Sequence, residues 1–197
     1  MKVGKIIKLC KERRQVQTTK YNGTQWLGNG SGLYPLYRAP VFGKDELCYA
    51  YDIGEKQSSE MMYRELPEFK GFCLDDYDEA ETEAERLPIT ITRMGYVLAP
   101  YKTEEGLYFI DIKYLAPFDD EDEVSLYKRN REDGGVYFVA KAGFIIMGII
   151  MPVDIINEEF LKDIKELCDM CDMSFKNKKT ERVGKACQQY LLEEDLI

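Results

Sequence analysis

The sequence predicts an α+β fold: antiparallel sheet built from short meanders, with a helix at the N terminus and one or two helices at the C terminus. Three observations carry this. Apolar residues recur at helical spacing near both ends, period-two runs rich in β-branched and aromatic residues fill the middle, and Gly-containing turns separate those runs.

Over residues 3–14, Val3, Ile6, Ile7 and Cys10 fall at helical spacing among Lys2, Lys5, Lys8, Lys11, Arg13 and Arg14, which predicts a short amphipathic helix. Residues 15–21 and 24–27 are β-favouring runs joined by Asn22-Gly23. Asn-Gly suits a type I′ hairpin turn, whose two central residues need positive φ. A Gly-rich turn, Gly28-Asn29-Gly30-Ser31-Gly32, leads into Leu33-Tyr34-Pro35-Leu36-Tyr37. Pro35 lacks an N–H, so this third piece is expected at an edge or in a loop. Residues 38–70 are broken by Pro40, Gly43, Gly54 and Pro67, with short helical turns expected at 45–50 and 58–65.

Residues 75–85 carry seven carboxylates in eleven positions and no base. Like charges this dense resist compaction, so a solvated loop or an exposed helix is expected there. The 197 residues then form one domain, or two subdomains, 1–74 and 87–197, joined by the acidic segment 75–86.

Beyond it, 87–92 and 96–101 alternate about Arg93-Met94-Gly95 and predict a hairpin. Residues 106–110 read as a strand, followed by a short helix with Asp111 as N-cap that ends before Pro117. Two more strands are expected at 124–129 and 136–140, around Asp133-Gly134-Gly135. The apolar run 144–151 is β-branched and Gly-bounded, which predicts a fully buried strand at the centre of the core. Asn157 is then a good N-cap for a helix with Phe160, Leu161, Ile164, Leu167, Cys168 and Cys171 on one face.

With 36 acidic against 27 basic residues the net charge is −9. An acidic chain is not a default nucleic-acid binder, since phosphate neutralisation rests on Lys and Arg. Direct contact with nucleic acid is expected only through the basic patches at 2–14 and at 176–185 (Lys176, Lys178, Lys179, Arg182 and Lys185). If these share a face, the molecule is dipolar, basic on one side and acidic on the other. The start of the chain alternates charged and apolar residues rather than forming a signal-peptide core, and the run 144–151 is too short to span a bilayer. A cytoplasmic protein with reduced thiols and no membrane contact is expected.

No histidine is present, which removes the commonest general base, metal ligand and triad member. Cys168-Asp169-Met170-Cys171 matches Cys-x-x-Cys, but it lies late on its helix, away from the dipole end that lowers a thiol pKa, and it lacks two further zinc ligands. Neither acidic run has the spacing and central Gly of an EF-hand. No catalytic residue, cofactor or metal is therefore assigned. The candidate partner-binding residues are Asp75, Asp76, Asp78, Glu79, Glu81, Glu83, Glu85, Asp119, Asp120, Glu121, Asp122 and Glu123, offered to a basic surface, with Trp26 and Tyr34 beside the Gly-rich loop. An enzyme using only carboxylates or thiols ranks last.

Two stretches carry a resemblance. Trp26-Leu27-Gly28-Asn29-Gly30 followed by Leu33-Tyr34-Pro35-Leu36-Tyr37, together with 149–157 (Ile-Ile-Met-Pro-Val-Asp-Ile-Ile-Asn), resembles a family of small prophage-encoded proteins of Gram-positive gut bacteria. That implies a phage accessory role: a non-catalytic protein that binds and modulates a host or phage protein, for example as an inhibitor of a nucleic-acid-guided defence nuclease. A lesser likeness is to sliding clamps, which combine helices with antiparallel sheet, end a module with an apolar strand like 144–152 and place basic helices inward. The sequence shows no repeat to match their modules.

Overall fold

The computed structural model describes residues 2–66, 71–121 and 123–194, with side chains as far as 178. The expected N-terminal helix is α1, Val3–Arg13, which buries Ile6, Ile7, Leu9 and Cys10 and ends on Arg14 in the left-handed conformation. The hairpin follows as β1 (Gln15–Tyr21) and β2 (Thr24–Gly28), with φ of 48° at Asn22 and 75° at Gly23, as a type I′ turn requires. Next come β3 (Gly32–Pro35), α2 (Lys44–Ala50), α3 (Glu55–Glu60) and β4 (Met62–Glu65). The helical turn expected over 58–65 therefore stops at Glu60, and the rest is strand.

The C-terminal strands are β5 (Thr82–Arg86), β6 (Ile91–Arg93), β7 (Tyr96–Thr103) and β8 (Gly106–Asp111). A 3-10 helix, Ile112–Phe118, follows; Asp111 caps it by accepting from the Lys113 N–H, and Pro117 lies inside it rather than beyond it. Then come β9 (Ser125–Asn130), β10 (Val136–Ala142), β11 (Ile145–Ile150) and the long helix α4 (Glu158–Glu194), whose first turn is capped by Asn157 Oδ1 accepting from the Phe160 N–H at 2.9 Å. The fold is α+β.

The eleven strands form one mostly antiparallel sheet in the order β4-β1-β2-β3-β11-β10-β9-β5-β7-β6, with β8 on β7 and β4 parallel to β1. Strands from both sides of 75–86 hydrogen-bond in this sheet, and β5 itself lies within that segment. The chain divides into compact units at 1–154 and 155–197. Contrary to the edge expected for Pro35, β3 is interior. Pro35 is tolerated because pairing to β11 involves only Gly32 and Leu33, so its missing N–H falls past the end of that ladder.

Strand β10 is covered on both faces. Phe138 and Ala140 enter one apolar cluster with Ile6, Cys10, Tyr34, Tyr114 and Phe118, whereas Tyr137 and Val139 enter a second with Trp26, Leu33, Leu74 and Ile149. The run 144–151 is only partly the central strand expected. Ile146, Ile149 and Ile150 are buried, but Phe144 is 89 % exposed at the hairpin tip.

A repeat invisible in the sequence is present in the topology. A helix followed by a three-stranded antiparallel meander occurs twice, as α1-β1-β2-β3 and as the 3-10 helix with β9-β10-β11. The last strands of the two meanders pair antiparallel, Ile149 with Leu33 and Ile150 with Gly32, and α1 packs against the 3-10 helix.

Candidate functional site

On β9 and β10, Tyr127 and Arg129 share a face with Val139 and Tyr137, their cross-strand partners. Two cations stand on this otherwise apolar surface, Arg129 at 1 % exposure and Lys141 at 4 %. A buried charge is costly unless paired and hydrogen-bonded. The acidic segment supplies those partners. Glu81 Oε2 accepts from Arg129 Nε at 2.9 Å, and Glu81 Oε1 accepts from Lys141 Nζ. Arg129 Nη1 donates to the carbonyls of Cys73 and Asp75, both at 2.9 Å, and Lys141 Nζ donates to the carbonyl of Asp76 at 2.6 Å. Asp78 lies 3.9 Å from Arg129 Nε.

Further bonds fix the same strap. The Tyr137 hydroxyl accepts from the Cys73 N–H at 2.9 Å and donates to its carbonyl at 3.1 Å, while Phe72 stacks edge-on against the Tyr137 ring. Tyr21 donates to Asp75 Oδ1 at 2.6 Å, and that bond, with some burial, pushes its hydroxyl pKa up to about 12. Asp76 Oδ1 accepts from the Ile146 N–H at 3.1 Å, tying the strap to the β10–β11 hairpin. Residues 72–81 are thus a fixed strap over the sheet, and 82–86 continue as strand. The solvated loop or helix expected for 75–85 is replaced because two buried cations need its carboxylate and carbonyls.

The remaining carboxylates point to a different use. Glu79, Glu83 and Glu85 are exposed and make no ion pair among the described residues. Glu83 and Glu85 share one face of β5, opposite the buried Ala84, since strand side chains alternate. Tyr77, on the strap, is 72 % exposed, and at the adjoining hairpin tip Phe144 and Ile145 are 89 % and 53 % exposed. Tyr77 thus stands on the same strap as Glu79, and Asp76 ties that strap to the hairpin that carries Phe144 and Ile145.

The second acidic run is placed otherwise. Asp119 pairs with Lys5 and Asp120 with Lys2, and the Lys2 N–H donates to the Pro117 carbonyl at 3.0 Å. The Lys2 bond holds the Asp120 carboxyl below its ordinary range and raises the Lys2 ammonium. Glu121 is half-buried, Glu123 is exposed, and Asp122 lies outside the described residues. The basic face of α1 and this acidic run meet each other through the Lys2–Asp120 and Lys5–Asp119 pairs. Of the second basic patch, Lys176 and Lys178 are exposed on α4, and Lys179, Arg182 and Lys185 lie outside the described side chains.

Trp26 and Tyr34, expected at a contact surface, are core residues at 2 % and 1 % exposure. The Gly-rich loop beside them is a packed plug rather than a mobile turn. Asn29 is buried and donates to the Leu9 carbonyl at 2.9 Å, its Oδ1 accepts from the Ser31 and Gly32 N–H groups, and a Cβ on Gly28 would meet the Gly32 oxygen at 1.9 Å. Cys10 donates to the Gly28 carbonyl at 3.2 Å, and burial pushes its thiol up to about 12. Cys168 and Cys171 are exposed on α4. Among the described residues no three His, Cys, Asp or Glu side chains gather as metal ligands, and no helix is long and apolar enough to cross a membrane.

Arg129 and Lys141 escaped the sequence reading. Alternation did not signal Arg129: in β9 the buried Leu126 shares its face with Lys128, and Arg129 lies on the opposite face with Tyr127. The chain matches no protein-family model, no curated protein and no solved structure.

Proposed function

We propose that this is a non-catalytic binding protein that offers the outer carboxylates of its strap and β5 to a basic groove on a partner protein. The observation that carries the reading is the division of labour within 75–85. Glu81 is consumed by Arg129 and Lys141, which fixes the segment and leaves Glu79, Glu83 and Glu85 outward, with Tyr77 exposed on the same strap. Preorganised charge lowers the ordering cost of association, and exposed aromatics are the usual anchors of an interface. Complementary charge also speeds encounter.

An inhibitor of a nucleic-acid-guided nuclease, encoded by a prophage, is the specific form we favour. Such a nuclease holds nucleic acid in a basic channel, and a rigid row of carboxylates competes for the same cations. The test is calorimetric titration of a purified guided nuclease with the protein and with E79Q/E83Q/E85Q, with and without its nucleic acid. Binding that weakens at least about tenfold in the variant, weakens with salt and is displaced by nucleic acid is expected. Binding indifferent to the three substitutions overturns the carboxylate mechanism.

The twice-used helix-and-meander unit favours a second reading, a sliding-clamp-like processivity factor. Against it stands the pairing of Lys2 and Lys5 with Asp120 and Asp119, which removes positive charge from the helix that would face DNA. Sedimentation at physiological salt separates the two: a closed ring of two or three copies supports the clamp, and a monomer excludes it.

A further inference from the structure

Helix α4 runs for 37 residues, about 55 Å, and carries an apolar seam along residues 161–175. Leu161, Ile164, Cys168, Cys171 and Phe175 recur at alternating steps of three and four, the spacing of the a and d positions of a coiled coil. Leu161 is 58 % exposed and Phe175 69 %, both cysteines are exposed, and only Ile164 is half-buried. Leu167, beside the seam, is 56 % exposed. Helices in water draw most of their stability from packing an apolar face, and a contiguous exposed apolar surface marks a place of association.

The charges that flank the seam select what covers it. With Leu161, Cys168 and Phe175 at a, and Ile164 and Cys171 at d, the e positions hold Lys165 and Asp172 and the g positions hold Leu167 and Ser174. Two parallel copies would set g against e, with Leu167 opposite Asp172, and would form no ion pair there. Two antiparallel copies set e against e, so Lys165 of each copy meets Asp172 of the other, twice by symmetry. Both side chains are exposed and make no ion pair among the described residues. The same register packs Ile164 beside Phe175 and Cys168 beside Cys171. The longer charge pattern agrees. Residues 158–166 hold four acids and two bases, 173–181 hold three bases and one acid, and antiparallel pairing lays the first stretch along the second. A helix that carries both halves of the charge pattern is self-complementary, as a two-fold interface requires.

We propose that α4 docks on α4 of a second copy as an antiparallel coiled coil that covers Leu161, Ile164, Cys168, Cys171 and Phe175. The seam is short, so the dimer is reversible. It uses one patch on each copy, closes no ring, and does not draw on the carboxylates of the strap.

Sedimentation equilibrium of the full chain at physiological salt is the test. The mass is expected to move from one chain at about 1 µM to two chains at about 300 µM. F175D, which sets a charge inside the seam, is expected to stay a single chain throughout. K165D and D172K are each expected to weaken the dimer at least about fivefold by opposing like charges, and K165D/D172K to restore it, because the exchanged charges meet again. Lys165, Asp172 and Phe175 are exposed, so melting of the dilute variants is expected to match that of the dilute parent. At about 1 µM, where the copies are separate, Cys168 and Cys171 stay open to alkylation. One chain at about 300 µM, a dimer that survives F175D, or single and double charge variants that dimerise alike each overturns the inference. A ring held by its sheets would keep its mass in F175D, which separates this dimer from a clamp. The variant E79Q/E83Q/E85Q is expected to dimerise like the parent chain, which keeps this result separable from that of the protein-binding surface.

Discussion

Arg129 reaches Glu81 across the outer face of the sheet, with Nε 2.9 Å from Oε2, and the guanidinium is wholly buried. The same side chain holds the carbonyls of Cys73 and Asp75, so it ties together the two ends of a strap that has no regular hydrogen-bond ladder of its own until β5. Arg129→Met removes a buried charge partner and leaves two carbonyls without their donor. A loss of about 3–5 kcal/mol is expected by urea unfolding, the range for breaking a buried pair. The control Glu79→Gln is expected to stay within about 0.5 kcal/mol of the parent, because that side chain is exposed. A small effect at Arg129 would mean that the strap is held by its apolar contacts, Phe72 and Leu74, instead.

The Tyr21–Asp75 bond makes stability depend on alkaline pH. The Tyr21 hydroxyl titrates near 12 in the folded chain and near the ordinary tyrosine value of 10 when unfolded. A folded pKa above the unfolded one gives stability that is fully present below pH 10 and lost as pH rises towards 12. Tyr21→Phe is expected to flatten the fall in melting temperature across that window. The remaining slope is shared by Tyr34, Tyr37, Tyr63, Tyr101, Tyr137 and the Cys10 thiol, all of which burial also raises.

Two glycines are predicted to respond with opposite signs. A Cβ on Gly28 would sit 1.9 Å from the Gly32 oxygen and 2.8 Å from the Leu33 Cα, both backbone atoms that cannot swing aside. Gly28→Ala is expected to cost about 1–3 kcal/mol, as overpacking does, or to displace the plug. Gly4 lies in α1 with nothing within 4 Å of its missing Cβ. Gly4→Ala there is expected to add about 0.5 kcal/mol through helix propensity. Chemical denaturation of both variants measures the contrast.

Local signals were legible wherever one residue type decides a local geometry. Asn22-Gly23 announced its turn, Asp111 and Asn157 announced caps, and the β-favouring run 136–140 after the Asp133-Gly134-Gly135 turn announced β10. Long-range pairing was not legible. Nothing within 75–85 says that Glu81 belongs to Arg129 and Lys141, 48 and 60 residues away. The same holds for Asp119 and Lys5, 114 residues apart, whose charges looked like two separate patches until the 3-10 helix set them side by side. The repeated helix-and-meander unit was hidden because topology survives sequence changes that erase similarity, since binary patterning alone largely sets fold class. Trp26 and Tyr34 misled for a related reason. Aromatics beside glycines suit a binding loop as well as a core, and only the closure of β3 against β11 decides between them.

The cysteines offer a test of the packing that needs no substitution. Cys10 is buried, its thiol is committed to the Gly28 carbonyl, and its pKa stands near 12, so very little thiolate exists near neutral pH. Cys168 and Cys171 are exposed on α4. With iodoacetamide at pH 8, mass spectrometry of peptides is expected to show Cys168 and Cys171 alkylated first and Cys10 last, Cys10 at a rate set by opening of the α1–β2 contact rather than by reagent concentration. Adding urea below the unfolding transition should accelerate Cys10 far more than the α4 pair, because only Cys10 must first be uncovered. Equal rates for Cys10 and Cys168 in the absence of urea would mean that α1 is not docked on the sheet, and with it would fall the pairing of Lys2 and Lys5 to the second acidic run.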